Sequence, residues 1–350
     1  MPTNSKNVFY IETLMSPSYA TVLATRPDVS LHRMRRDPPT DELAVLLQTA
    51  HAFQISASRQ ELPIHWWGAD PLLAQTPNLL VVSSNGAGYD TIDIDACTRA
   101  GVLAVNQAGG NKEGVAEHAL GFMLALTKRI GEADRAMRRA AGIKRVAYMG
   151  HDLLGRTLGI IGLGHVGTRL AELCNGLFRM RVLAHDPYLS AESIQARGAT
   201  PATLDELLAQ SDYVSVHCPL TAETRGMIGA RAFGLIRPGA YYINTARGFI
   251  HDERALEQAL AIGRLAGAGL DVWDEEPPPP DHPLLAFDTV LASPHTAGVT
   301  HESRDTIAGI AADQMLQILD GRRPPRLLNP EVWPAYCARF RAIMGHDVAE

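Results

Sequence analysis

The chain has 350 residues, 46% of them apolar and 20% charged, with a formal net charge of −6. That length exceeds what a single hydrophobic core usually fills, so two domains are expected, and the balance of apolar and charged residues excludes a disordered chain. Nucleic-acid binding is not expected either, because the arginine clusters at 33–36 and 135–145 lack interleaved aromatic residues and read as solvated faces.

The opening residues Met1, Pro2, Thr3, Asn4, Ser5 and Lys6 show no charged-then-apolar export signal, so a cytoplasmic protein is expected. Strand candidates follow at 8–11, 29–32, 52–56, 79–83 and 102–105, with a helical stretch at 40–49. Such alternation favours a parallel sheet in a small α/β domain. After the fourth candidate, the loop containing Asn85, Gly86, Ala87 and Gly88 can turn backbone N–H groups toward an anion, although its ordinary reading is a flexible turn. Arg59 follows the third candidate, where the ordinary reading is a surface arginine. Gly109 and Gly110 mark a linker, which places a domain boundary near residue 111. The helix expected over 115–126 is apolar nearly all round and too short to span a bilayer, so it must be covered by a deep core or by a second subunit.

At 158–167 a short apolar run breaks into three glycines and resumes as a helix. This is the pattern of a dinucleotide-binding turn. Gly162 allows the tight turn, Gly164 lets the backbone approach a pyrophosphate, and Gly167 lets the helix pack closely on the strand. His165, Val166 and Gly167 open the helix, whose N-terminal N–H groups favour an anion. The next strand candidate, 182–185, leads into Asp186, at the spacing of the acid that takes the adenosine ribose hydroxyls. An acid there repels a 2′-phosphate, so NAD is expected rather than NADP; the bland alternative is a turn residue before Pro187.

Further strand candidates at 213–217, 241–245, 268–272 and 290–293 alternate with helical or turn-rich stretches, which spells a doubly wound α/β sheet. Thr203 and Glu206 have capping-box spacing. The segment 275–283, with its proline run at 277–280, must be an irregular loop. A helix pattern then runs through Ile307, Ile310, Ala311, Met315 and Ile318 to Gly321, followed by a tail with Trp333 and Tyr336 that packs on an unidentified surface. The four cysteines, Cys97, Cys174, Cys218 and Cys337, have no metal or redox spacing and read as reduced packing residues. No metal site and no serine nucleophile elbow is expected.

In an open parallel sheet, ligands bind at the carboxyl ends of the strands. That rule collects Cys218 and Pro219, Thr245 and Ala246 with Arg247, Asp271, Glu276 and His295 at one edge. His295 suits proton donation to and removal from a hydroxyl, because imidazole titrates near neutral pH. Glu276 held against that ring favours its charged form, and the planar fork of Arg247 suits a carboxylate. Asp271 is expected to hold the nicotinamide ribose or amide region. Singly, each has an ordinary reading as a turn residue, a helix cap or a solvated acid. Together they point to a nicotinamide enzyme acting on a 2-hydroxy acid.

The segments 158–167, His185-Asp186-Pro187-Tyr188, His217-Cys218-Pro219-Leu220-Thr221 through Thr224-Arg225-Gly226, Asn244-Thr245-Ala246-Arg247-Gly248, 267–272 with Glu275-Glu276-Pro277, and Ser293-Pro294-His295-Thr296-Ala297 together resemble the D-isomer-specific 2-hydroxyacid dehydrogenases. The resemblance implies a Rossmann NAD domain over 112–304, inserted in a flavodoxin-like substrate domain built from 1–111 and 305–350. The helix from about Asp305 to Leu319 would return to the first domain. The resemblance implies Arg247, Glu276 and His295 as the catalytic trio, with Thr224 among the cofactor-binding residues. It also implies Asn85, Gly86, Ala87 and Gly88 as a backbone carboxylate loop, Arg59 as a substrate contact, and a homodimer through the helix after Val115. His165 stands where many members carry Arg, and the stretch 142–152 lacks the Trp common before the fingerprint. Glu276 argues against formate, which has no hydroxyl proton to manage. No regulatory domain is expected after residue 350, which lowers the odds of a large phosphoglycerate dehydrogenase. The implied activity interconverts a 2-oxo acid and a D-2-hydroxy acid, with glyoxylate, hydroxypyruvate and phosphohydroxypyruvate leading. Alternatives are a non-catalytic NAD-sensing scaffold similar to transcriptional corepressors, or a dehydrogenase for phosphite or another small oxyanion.

Overall fold

The computed structural model describes residues 5–349, so the reading of Met1 to Asn4 lies outside the described residues. The chain divides into two compact units, Met1–Asn111 with Thr300–Glu350, and Lys112–Val299.

The first unit is built on a five-stranded sheet of β1 (Lys6–Ile11), β2 (Val29–Met34), β3 (Ala52–Ser56), β4 (Val81–Asn85) and β5 (Leu103–Val105). All pairings are parallel, in the order β2-β1-β3-β4-β5 that is typical of flavodoxin-like sheets. β4 lies two residues later than its apolar run suggests, because its register against β3 starts at Ala52 opposite Val81 and leaves Leu79 and Leu80 in the buried approach. Both faces are covered, one by a cluster around Phe9, Phe53, Trp66 and Leu79, the other by Tyr19, Leu80, Met315 and Phe340. The returning helix is His301–Leu319, capped by the Thr300 hydroxyl, which accepts from Ser303 N–H. The tail that sequence left unplaced forms the helix Trp333–Met344. It inserts the fully buried Tyr336 and Phe340 into this core, and the Tyr336 hydroxyl donates to the Ile318 carbonyl at 3.0 Å.

The second unit holds seven parallel strands: β6 (Thr157–Ile161), β7 (Arg181–His185), β8 (Thr200–Pro201), β9 (Tyr213–Val216), β10 (Ala240–Asn244), β11 (Leu265–Leu270) and β12 (Val290–Ala292). Their order is β12-β11-β10-β9-β6-β7-β8, so the strand order reverses at β6. Residues alternate across the sheet, with Leu158 and Ile160 entering one apolar cluster and Ile161 the other, as expected of strands covered on both faces. β11 begins three residues before the expected 268, because Gly267 and Gly269 serve packing rather than strand breaking. A Cβ at Gly269 would meet the Phe122 ring at 2.7 Å, and one at Gly267 would meet Leu126 Cδ2 at 3.3 Å. Both partners belong to the apolar helix Lys112–Thr127, which its own unit largely buries through Val115, Ala116, Ala119, Leu120, Phe122, Met123 and Leu126. The two-residue β8 had no sequence signal. The capping box at Thr203 and Glu206 forms with both reciprocal bonds. All four cysteines are free thiols. Among the described residues no helix is long and apolar enough to cross a membrane, and no His, Cys, Asp or Glu group could hold a metal ion.

Candidate active site

The glycine turn after β6 has the shape a pyrophosphate needs. Gly162 sits at φ +90°, where a Cβ would lie 2.6 Å from the Cys218 nitrogen, so only glycine fits both the conformation and the space. A Cβ at Gly167 would collide with the Gly162 carbonyl, whereas nothing lies within 4 Å of one at Gly164. The helix His165–Phe178 starts there with Gly164 as its N-cap and no side-chain cap bond. Its first intrahelical donor is Thr168 N–H, so the N–H groups of residues 165–167 face the open side. The exposed His165 and half-buried Val166 flank this opening. A dinucleotide phosphate therefore fits.

Asp186 ends β7 with both oxygens engaged, Oδ2 accepting from Leu163 N–H at 2.9 Å and Oδ1 from Tyr188 N–H at 3.1 Å. The acid thus ties its own turn to the glycine turn. A cavity of about 410 Å³ opens beside it, lined by His185, Leu189, Pro201 and Thr203 among others. After β9, Cys218 and Pro219 follow the strand, and burial pushes the Cys218 thiol up to about 11. Burial also pushes His217 down to about 4, a neutral ring hydrogen-bonded to Ser215 Oγ at 2.8 Å. The Thr224 hydroxyl is spent inside its turn, donating to the Pro219 carbonyl at 2.7 Å and accepting from Thr221 N–H.

β10 delivers Thr245, Ala246 and Arg247 through a turn that Asn244 holds at both ends. Its Oδ1 accepts from Ala246 N–H and its Nδ2 donates to the Arg247 carbonyl, each at 2.9 Å. The buried Thr245 hydroxyl has no protein partner, which leaves it available to a ligand group. The half-buried Arg247 guanidinium donates to the Ala246 carbonyl at 2.7 Å.

His295 and Glu276 meet. Nδ1 of the ring lies 2.7 Å from Glu276 Oε2. A carboxylate can only accept, so Nδ1 carries the proton and Nε2 remains for chemistry. His295 adopts a left-handed backbone at φ 56°, held by its N–H donating to the Asp271 carbonyl at 2.7 Å. A non-glycine residue in that region is uncommon and persists where its surroundings enforce it. Asp271 supplies that enforcement. Its carboxylate is buried and accepts from Thr296 N–H, Ala297 N–H and Ser293 Oγ. Because the Ser293 hydroxyl donates to Asp271, it accepts from His118 Nε2 at 2.9 Å. Asp271 therefore holds the His295 loop with both oxygens, a task that sequence reasoning did not assign to it. Asn244, Ser293 and His118 were missed too. The one sequence signal for Asn244 and Ser293 was a small polar residue at the end of a strand, whereas His118 lies within a helix and had none.

In the first unit, the loop after β4 is partly committed to the protein. Asn85 Oδ1 accepts from Gln54 Nε2 at 2.7 Å, and Gly86 N–H donates to Gln107 Oε1 at 2.8 Å. Ala87 and Gly88 keep their N–H groups without a protein acceptor among the described residues. Arg59 donates to the Asp90 carbonyl at 3.0 Å and lies over the Trp67 ring, 5.1 Å from its centroid.

A parallel sheet whose strand order reverses beside an open phosphate turn defines the class, an α/β dinucleotide-binding oxidoreductase domain. Comparison with known proteins gives the family. Residues 120–297 match the D-isomer specific 2-hydroxyacid dehydrogenase, NAD binding domain, and the chain belongs to that family of NAD-dependent oxidoreductases. It is 41% identical over 259 residues to a D-3-phosphoglycerate dehydrogenase of Archaeoglobus fulgidus, covering 74% of this chain and 49% of that one. It is 39% identical over 272 residues to a glyoxylate reductase of Korarchaeum cryptofilum, covering 75% and 81%. The chain thus spans about half the length of the first relative and about four fifths of the second. Among solved structures, a glyoxylate reductase from Paecilomyes thermophila aligns with TM-score 0.80 at 27% identity, covering 95% of this chain and 99% of that one. A D-lactate dehydrogenase from Aquifex aeolicus, complexed with NAD and lactic acid, aligns with TM-score 0.78 at 27% identity, covering 92% and 99%.

Proposed function

We propose that the protein interconverts a small 2-oxo acid and the corresponding D-2-hydroxy acid with NAD, using His295, Glu276 and Arg247. The observation that carries this reading is the 2.7 Å bond between His295 Nδ1 and Glu276 Oε2 at the carboxyl edge of a dinucleotide-binding sheet. A dinucleotide held at the Gly162–Gly167 turn and by Asp186 would supply the hydride in the reductive direction. His295 Nε2–H gives its proton to the ketone oxygen, and in the oxidative direction the same nitrogen takes it back. Glu276 fixes the ring tautomer and orientation. Arg247 holds the substrate carboxylate as a planar fork and polarises the carbonyl. In the first unit, the Ala87 and Gly88 N–H groups and Arg59 are the substrate-binding candidates.

Relatives named glyoxylate reductase and D-3-phosphoglycerate dehydrogenase support glyoxylate, hydroxypyruvate and phosphohydroxypyruvate as the substrates to test. NAD is preferred over NADP because Asp186 would face a 2′-phosphate. The protein works as a cytoplasmic homodimer, with the exposed Ile130, Met137, Val146 and Met149 forming the covered surface. This moves the interface from the helix after Val115, which its own unit covers, to the segment that follows.

The test is NADH oxidation across a panel of 2-oxo acids, with phosphite plus NAD as a separate arm, repeated with His295→Ala. A loss of turnover of about 100- to 10,000-fold is expected with NADH binding retained. A variant as fast as the parent would sink the acid–base role. A parent that binds NADH yet reduces none of the panel would favour the non-catalytic scaffold.

A further inference from the structure

The Glu276–His295 pair joins two loops that leave different strands, and one residue bonds to both, by its main-chain N–H to Glu276 and by its side chain to the loop of His295. We propose that Trp273 is a positioning residue for this pair, backed by a second imidazole–carboxylate pair, His282–Glu253, at the far end of the loop that carries Glu276. The proposal rests on the acid–base reading above.

Trp273 is buried, at 3% exposure, just after β11. Its main-chain N–H donates to Glu276 Oε1 at 3.1 Å, fixing the carboxylate oxygen that His295 does not use. Its indole Nε1–H donates to the Ser293 carbonyl at 3.0 Å, two residues before His295. A third loop rests on it as well, since a Cβ at Gly248, next to Arg247, would collide with the Trp273 carbonyl. One residue thus sets the relative positions of the acid, the imidazole and the arginine loop. A buried indole N–H requires an acceptor, and here the acceptor is the backbone that presents His295.

The loop is held at both ends by one carboxylate. Glu253, the first residue of the helix Glu253–Ala261, accepts from Asp274 N–H through Oε1 at 3.1 Å. Its Oε2 takes the His282 Nε2–H at 3.2 Å. The tautomer follows from His282 Nδ1, which accepts from Leu284 N–H and so carries no proton. The His282 ring then meets the Trp273 indole edge-on, with centroids 5.4 Å apart at 76°. With Glu253 and His282 buried to 17% and 14% side-chain exposure, the prolines at 277–280 span a loop whose two ends cannot drift apart independently. A catalytic group displaced by about 1 Å costs on the order of 100-fold in rate, so such a brace has kinetic consequences.

The decisive variant is Trp273→Phe, which keeps an aromatic ring and the main-chain N–H to Glu276 and removes the indole N–H that bonds the Ser293 carbonyl. Glu253→Ala tests the backing. Two readouts are taken: kcat and KM with the best 2-oxo acid and NADH, and the hydrogen-bonded Nδ1 proton of His295 in the ¹⁵N-histidine-labelled protein without cofactor, identified by its loss in His295→Gln. For Trp273→Phe, kcat is expected to fall about 10- to 100-fold with both KM values within about twofold, and the Nδ1 proton signal to shift or vanish. Glu253→Ala is expected to act in the same direction at about 10-fold. A parent-like kcat, or an unmoved proton signal, in Trp273→Phe overturns the role of Trp273, and the same result in Glu253→Ala overturns the backing. The proton signal reads the brace even in a protein that reduces none of the acids, so failure of the functional reading and failure of the brace are distinguishable.

Discussion

Asp186 accepts main-chain hydrogen bonds with both oxygens, and this separates its charge from its structural task. Asp186→Asn retains an acceptor for Leu163 N–H while removing the charge that would face a 2′-phosphate. The ratio of kcat/KM for NADH over NADPH is expected to fall by about 10-fold, equivalent to about 1.4 kcal/mol, with stability lowered by about 1 kcal/mol because the amide has one acceptor for the two N–H donors. An unchanged ratio would show that the charge does not set cofactor choice. His295 shows the complementary case, a chemical group whose backbone is held in a sparsely populated region by a buried acid. Its place at the carboxyl edge of the sheet was legible from its position after a strand. Its support was not, because the Asp271 contacts depend on two strand ends 22 residues apart in sequence becoming neighbours.

The helix Ile130–Arg139 has no buried residue, yet it exposes Ile130 at 58% and Met137 at 69%. A strongly amphipathic helix with an uncovered apolar stripe needs a cover. Met137→Glu combined with Met149→Glu is expected to convert the proposed dimer to a monomer by sedimentation velocity, while a parent that sediments as a monomer would remove this assignment. Elements were otherwise most legible where one local rule sufficed. The phosphate turn, the strand at 52–56 and the capping box at Thr203 all carry their signal within a few residues. β11 and β8 do not. Gly267 and Gly269 make room instead for close approach, the first by the Thr289 carbonyl and Leu126 and the second by the Phe122 ring, while a strand of two residues has no periodicity to read. Trp273 carries no sequence signal of its contacts, since sequence does not show where a buried indole N–H will point.

At the scale of the whole molecule, the two units carry different pH liabilities. In the second unit His251 is buried, with Nδ1 accepting from Asn244 and Nε2 without a partner, and burial pushes it down from 6.5 to about 4. Its folded value lies below its unfolded one, so acidification protonates the unfolded chain first. The stability this group contributes is complete above pH 6.5 and is lost as the pH falls toward about 4. In the first unit, Arg26 holds Asp28 and Asp320 below the usual carboxylate range through hydrogen bonds, with Lys6 beside them. Those carboxylates contribute stability above the ordinary range near 4, and it is lost only as the pH falls below that. His217, also buried and pushed down to about 4, adds a second such group to this unit, while burial lowers His51 and His32 in the first unit. Between pH 6.5 and 5 the second unit is therefore expected to lose about 3 kcal/mol and the first less, as read by hydrogen exchange resolved by peptide in a urea series. His251→Asn should remove about half of the dependence in the second unit and leave the part that His217 carries, and equal losses in both units would contradict this account. The seven-stranded sheet, finally, ends in β8, two residues long with Pro201 lacking an amide donor, and in β12, three residues long. Neither rim offers a ladder on which a stray chain could zip, so the larger sheet is guarded against fibril-type recruitment at high concentration. The six-residue β2 at the border of the smaller sheet is the longest open template, and if the protein precipitates by strand addition, it starts there.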